Sequence, residues 1–384
     1  VLARKSSIEI LRVILLLMVV SIHVSGPYLS SHFISGVVNW QVANILDGGS
    51  RVAVGCFVVI TGYFLSYSGK SPGIKPPSRR IARLLAPLGF HFPLYLALYW
   101  SANRSSLAGS LWAAAYDLGR NDGLFYHMWY VQVIAAVYLL SPYLNSLVVS
   151  LERRALRDLI IILGCITSVL PTLVYVTGVP FHDTLLLNSR LVLFVTLYLT
   201  GGYIRAHKAD SGGAMLRSRR ALALAFVLTE VFIIGVTFLY NSRYSPLIHF
   251  ARLRGVNLTY PMGGFSGAFY DFNSVPVVVG SVLLFLLFLG IDLDCRGRLH
   301  RLANKLGACT YGAYLGHVFW IQVVTRFIDP AAYADGPAYP LAAVGVILSV
   351  SACSMATEAL RQAMGRFLTS LRRAKAESGT ARVT

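Results

Sequence analysis

Two ionisable side chains share one apolar run. The segment IEILRVILLLMVVSIHVSG, residues 8–26, carries Arg12 near its start and His23 near its end, with Glu9 just upstream. A guanidinium is a fixed cation, and an imidazole exchanges its proton near neutral pH. Their separation of 11 positions brings them back to one helical face, about 20° apart and about 16 Å along the axis. Glu9 lies one turn before Arg12, close enough to pair with it. Ionisable groups at membrane depth are functional candidates by default. The plainer alternative is that Arg12 reaches the headgroups and His23 hydrogen-bonds a neighbouring helix.

Further residues of the same kind recur downstream. His127 stands in YHMWY (126–130) and His317 in YGAYLGHVFW (311–320), while Arg51 and Arg190 open two other apolar runs. With Trp129, Tyr130 and Tyr311 beside them, these groups are expected at one depth, in the outer half of the membrane. A shared polar cavity costs less than five separately buried polar groups. An aromatic belt at the interface is the competing reading. His91 and Glu230, near mid-membrane, are read as a pair partner or a core hydrogen bond. On the other side, RRIARLLAP (79–87) sets Arg80 and Arg83 one turn apart. They are either topology markers or a clamp for a phosphate-bearing anion. No dinucleotide, P-loop, serine-elbow or HExxH motif is present, so those chemistries have no support.

The elements that position these residues follow from hydropathy. A hydrophobic fraction of 56% against 13% charged residues, with a mean hydropathy of +0.63, excludes an ordinary soluble domain. Apolar runs of about 20 residues, enough to cross a core of about 30 Å, recur along the chain. They predict an all-α polytopic membrane protein with ten spans, at 8–28, 49–68, 82–101, 124–148, 158–177, 185–205, 220–240, 273–292, 304–327 and 339–360. The segment SLAGSLWAAAYDLG (106–119) is too short and mixed to span, and is expected to lie at the interface or re-enter. The first run is too long and too charged for a cleaved signal peptide. Five cysteines show no CxxC or metal-ligand spacing, so no metal site is expected.

Charge sets the orientation. With the amino terminus inside, 25 of the 34 Lys and Arg fall in inner segments and six in outer ones. That asymmetry predicts both termini in the cytoplasm. It also spreads the formal charge of +18 over many loops, which excludes a nucleic-acid partner. Residues 1–360 are read as the membrane domain. Residues 361–384 form a basic cytoplasmic tail, first a surface helix and then disorder.

Five blocks carry a resemblance: IEILR…SIH (8–23), WQVANILDGGSRVAVGCFVVITGYFL (40–65), RRIARLLAP (79–87), YHMWYVQVIAAVYLLSPYLN (126–145) and LGACTYGAYLGHVF (306–319). In this order they resemble the membrane acyltransferase 3 family, and within it the branch of bacterial surface-polysaccharide O-acyltransferases. Arg12 and His23 fit the Arg-x10-His signature of that family. Thr61 stands where the family usually has serine before Gly62-Tyr63, and Gly55 where many relatives have proline. Residues 178–272 match only loosely, so acceptor recognition is expected there and in the outer loops.

The resemblance implies an O-acetyltransferase of the bacterial inner membrane with a central cavity or tunnel. Its co-substrate would be cytoplasmic acyl-CoA, acetyl-CoA by default, and its acceptor a glycan or lipid-linked sugar within reach of the bilayer. No permanently bound cofactor is implied. Arg12 would orient the donor, and Arg80 and Arg83 would bind it. Arg51, Thr61, His127, Trp129, Arg190, Tyr311 and His317 would line the acceptor site or cavity. His23 would be the general base or a transient acyl carrier, roles that suit an imidazole with an ordinary pKa of about 6.5. The rival reading is a transporter or flippase for a glycolipid or organic anion. The absence of an internal repeat speaks mildly against it.

Overall fold

The computed structural model describes residues 5–31, 37–66, 78–103, 106–177, 189–207, 218–253, 269–291 and 297–380. Every regular element among them is helical, as a chain must be when its backbone polar groups cannot turn to water. The helices are α1 (Ser6–Ser31), α2 (Val37–Gly48), α3 (Val52–Leu65), α4 (Ser78–Asn103), α5 (Leu107–Arg120), α6 (Trp129–Ser150) and α7 (Arg153–Gly164). They continue with α8 (Leu170–Thr177), α9 (Arg190–Ala206), α10 (Arg219–Leu253), α11 (Val275–Gly290), α12 (Arg298–Val324) and α13 (Tyr339–Thr380).

Seven helical stretches among the described residues are long and apolar enough to cross a membrane: Ser6–Leu29, Val38–Leu65, Arg80–Ala102, Leu107–Ser150, Arg153–Val174, Arg219–Leu239 and Tyr339–Leu371. The protein is therefore a multi-pass membrane protein. Ten spans were expected, and the other three positions hold helices that differ from these. Val275–Gly290 is apolar but short, and α9 has only 17 residues. Helix α12 is long, but Arg298, Arg301, Lys305, His317 and Gln322 dilute its apolar character.

Three boundaries differ from the hydropathy reading. The second pass starts at Val37 rather than 49, because α2 and α3 meet at a corner over Gly49–Arg51. Helix α10 continues to Leu253, into the segment expected as an outer loop from 241. Residues 254–268 of that loop lie outside the described residues. Helix α13 runs unbroken past residue 360 to Thr380, so the basic segment continues the last pass as helix. The short segment at 106–119 is a separate helix, α5. The Ser106 hydroxyl caps it by accepting from Gly109 N–H at 3.1 Å, and Asn121 ends it in the left-handed conformation, φ 56°. Its Leu107, Leu111 and Trp112 are exposed, which is the pattern of a helix lying at the interface.

Helix α1 is central and packs on α2, α3, α11, α12 and α13. Its C-terminal half is tied by Tyr28, whose hydroxyl donates to Ala334 O at 2.9 Å, and by Ser21, which donates to Leu46 O at 2.9 Å. The tightest crossing joins α3 to α9. A Cβ on Gly62 would collide with the Tyr198 carbonyl, and one on Gly201 with the Val59 carbonyl. Small residues let two backbones approach this closely, and close packing is what holds helices together in lipid. Gly62→Ala should cost about 1–3 kcal/mol by overpacking. A thermal midpoint in detergent unchanged from wild type would refute that reading of the crossing.

Candidate active site

The arginine end comes first. Arg12 lies on α1, Thr61 on α3, and Arg80 and Arg83 on the first turns of α4. All four line one cavity of about 400 Å³, with α6 and α12 closing its walls. Glu9 pairs with Arg12, Oε1 to Nη1 at 3.5 Å, from a nearly buried position. Gly307 of α12 makes room for that carboxylate, since a Cβ there would collide with it. Arg80 donates to Ser141 Oγ at 3.2 Å. Three guanidiniums thus face one cavity with a single carboxylate beside them, so the cavity carries net positive charge. That composition fits a phosphate-bearing anion.

Val19, Phe57 and Ile60 give the same cavity an apolar part, and Tyr130 and Tyr314 also line it. These two rings lie 5.2 Å apart, edge to face. Behind Tyr314 stand the histidines. Its ring is 5.3 Å from His317 and 5.8 Å from His127. Tyr314 is held by donating its hydroxyl to His127 O at 2.5 Å.

The three imidazoles meet. His23 stacks on His317 with centroids 5.1 Å apart and planes at 26°, and His127 meets His317 edge-on at 4.9 Å. The edge of Tyr126 lies 5.0 Å from His23. His317 Nδ1 sits 2.5 Å from Tyr314 O. A carbonyl can only accept, so in the neutral ring Nδ1 carries the proton and Nε2 is bare. That Nε2 is buried with no hydrogen-bond partner among the described residues. His23 is half-buried and makes no hydrogen bond to the described residues. Its imidazole is therefore free to engage a bound group.

The remaining expected site residues form an adjoining aromatic stack. Arg51, at the α2–α3 corner, pairs with buried Asp47 at 2.5 Å and lies 4.1 Å over the ring of Tyr270. Phe272 links Arg51 to Trp129, at 5.8 Å from the guanidinium and 5.3 Å from the indole. Arg190 lies 4.4 Å over the ring of Trp129.

The expected outer group is therefore divided. His23, His127 and His317 share one cluster, and Arg51, Trp129 and Arg190 share the stack beside it. Tyr311 belongs to neither. It lines the arginine cavity and donates to Leu84 O at 2.8 Å, because it lies nearly two turns before His317 on α12. Thr61 also faces that cavity, its hydroxyl bonded back to Phe57 O at 2.9 Å. Gly55 accommodates Ser281, which a Cβ there would meet. His91 makes the expected core hydrogen bond, from Nε2 to Gly312 O at 2.8 Å. Glu230 does not. Both its carboxyl oxygens are buried without a hydrogen-bond partner among the described residues, where Gly49 and Gly280 are its neighbours. Tyr95, Tyr126 and Tyr314 were missed. Among 21 tyrosines in an aromatic-rich chain, no spacing singles them out.

A helical membrane bundle with an arginine-lined cavity backed by clustered imidazoles is equipped for group transfer. A family model described as an acyltransferase domain matches residues 5–358. The chain belongs to the acyltransferase 3 family and is a membrane acyltransferase. No curated protein and no solved structure matches it. Family membership does not favour the transporter reading.

Proposed function

We propose that the protein moves an acyl group, acetyl by default, from cytoplasmic acyl-CoA to a hydroxyl of a surface or lipid-linked glycan. The reading extends to a bacterial inner-membrane location with both termini in the cytoplasm. It follows the resemblance of the five sequence blocks to O-acetyltransferases such as that of enterobacterial common antigen. One observation carries it: helix α1 presents Arg12 to a cationic cavity and His23 to an imidazole cluster, and Tyr314, which lines that cavity, lies ring to ring with His127 and His317.

In this reading Arg12, Arg80 and Arg83 hold the phosphates of the donor, and the apolar part at Phe57 and Ile60 takes its thioester arm. His23 removes the proton of the acceptor hydroxyl as its oxygen attacks the acyl carbonyl. The carbon–sulfur bond breaks, and the thiolate leaves to be protonated. In the covalent variant the His23 nitrogen attacks first, and the acyl-imidazole then passes its acyl group to the hydroxyl. Purified protein given radiolabelled acetyl-CoA and a crude glycan extract should transfer label to glycan. Vesicle-reconstituted protein that moves the glycolipid but never labels it would decide for a transporter.

A further inference from the structure

Tyr95, on α4, is in neither the cavity nor the histidine cluster, yet its hydroxyl touches the scaffold of both outer imidazoles. It donates to Leu315 O at 2.8 Å and accepts from Phe319 N–H at 3.2 Å. Those two groups are the carbonyl and amide that α12 pairs with each other across the turn bearing His317. A side chain that enters a helical ladder in this way fixes the local course of the helix. The same hydroxyl lies 3.4 Å from His127 Nε2, as does Leu315 O. The hydroxyl proton is already committed to Leu315 O. Both neighbours of His127 Nε2 can therefore only accept, and in the neutral ring Nε2 must carry the proton. His127 Nδ1 is then bare, and it is buried without a hydrogen-bond partner among the described residues.

We propose that Tyr95 is a positioning residue for the acyl-transfer site: it sets the ring orientation and tautomer of His127 and the orientation of the helical turn that presents His317 to His23. It rests on the acyltransferase reading only for its kinetic consequence. The ring of Tyr95 packs against Phe125 at 4.7 Å and Phe319 at 6.2 Å, so Tyr95→Phe keeps the packing and removes the hydroxyl alone.

The test uses the full-length protein with ¹⁵N-labelled histidine, whose ring nitrogens report the tautomer directly. In wild type, His127 should carry its proton on Nε2 and His317 on Nδ1. In Tyr95→Phe the Nε2 proton of His127 is left to Leu315 O alone at 3.4 Å, so the minor Nδ1–H tautomer should gain population, while His317, held by the Tyr314 carbonyl, keeps Nδ1–H. Misplacement at this scale should lower kcat about tenfold to a hundredfold, with the acetyl-CoA KM unchanged. A well-folded Tyr95→Phe protein with wild-type tautomers and wild-type kcat overturns the proposal. So does a rise in KM at constant kcat. Should the wild-type protein transfer no acyl group, the acyltransferase reading fails, while the spectra still decide the tautomer assignment. If Tyr95→Phe does not fold, Tyr95→Met, which also removes the hydroxyl and adds no hydrogen-bonding ring, supplies the same comparison.

Discussion

Replacing His23 with alanine will abolish acyl transfer and leave the protein inserted and folded. A glycan hydroxyl is a poor nucleophile until its proton is taken, and a positioned general base contributes about 10²–10⁴-fold. An acyl-imidazole route would make the loss more complete. The surroundings of His23 explain why folding should survive. The imidazole is half-buried, stacked on His317 and edged by Tyr126, and it makes no hydrogen bond to the described residues. Truncation therefore orphans no buried donor or acceptor, the usual source of a large stability loss. His23→Gln is the control, since it keeps polarity and removes the base. A folded Gln variant that still acylates at more than about a tenth of the wild-type rate would sink the assignment, given the expected range. Thermal midpoints of both variants, measured in detergent, separate lost chemistry from lost structure.

The double variant Arg80→Ala, Arg83→Ala should raise the acetyl-CoA KM at least tenfold, with expression and insertion unchanged. Arg80 and Arg83 are exposed in the free protein, and charge-assisted hydrogen bonds contribute roughly 1.5–3 kcal/mol each once a bound anion shields them from water. Removing two of the three guanidiniums that face the cavity should therefore be felt mainly in donor binding. Little structure depends on them. Among the described residues Arg80 hydrogen-bonds Ser141 Oγ at 3.2 Å, and that hydroxyl already donates to Tyr138 O at 2.8 Å. Arg12 stays in place through Glu9, which leaves a residual site. An unchanged KM at normal expression would reduce the pair to markers of topology.

Local sequence was enough for the parts of this site that lie on one helix. Arg12 and His23 share a face because α-helical geometry admits no other outcome at their spacing, and Glu9 meets Arg12 for the same reason. Hydropathy located the helices, since apolar length is what a bilayer demands of each pass. It could not place the corner at Gly49–Arg51, which depends on what α2 and α3 pack against. Nor could it show that α10 continues as helix beyond its apolar part.

The order of side chains along α12 shows the limit most clearly. Tyr311, Tyr314 and His317 are three residues apart in turn, and all could be assigned to one depth from sequence. In the fold Tyr311 faces the arginine cavity, Tyr314 forms the wall, and His317 stacks on His23. Sequence by itself determined that this is a helical membrane protein carrying Arg12 and His23 on one face, because those properties arise within a segment. Only the tertiary structure decided that His23, His127 and His317 form one cluster, and that Tyr95 bridges the turn behind it. In lipid the hydrophobic effect does not choose between helix neighbours. Close contacts such as Gly62 on Tyr198 and Gly201 on Val59 do, and these depend on pairs of residues far apart in the chain.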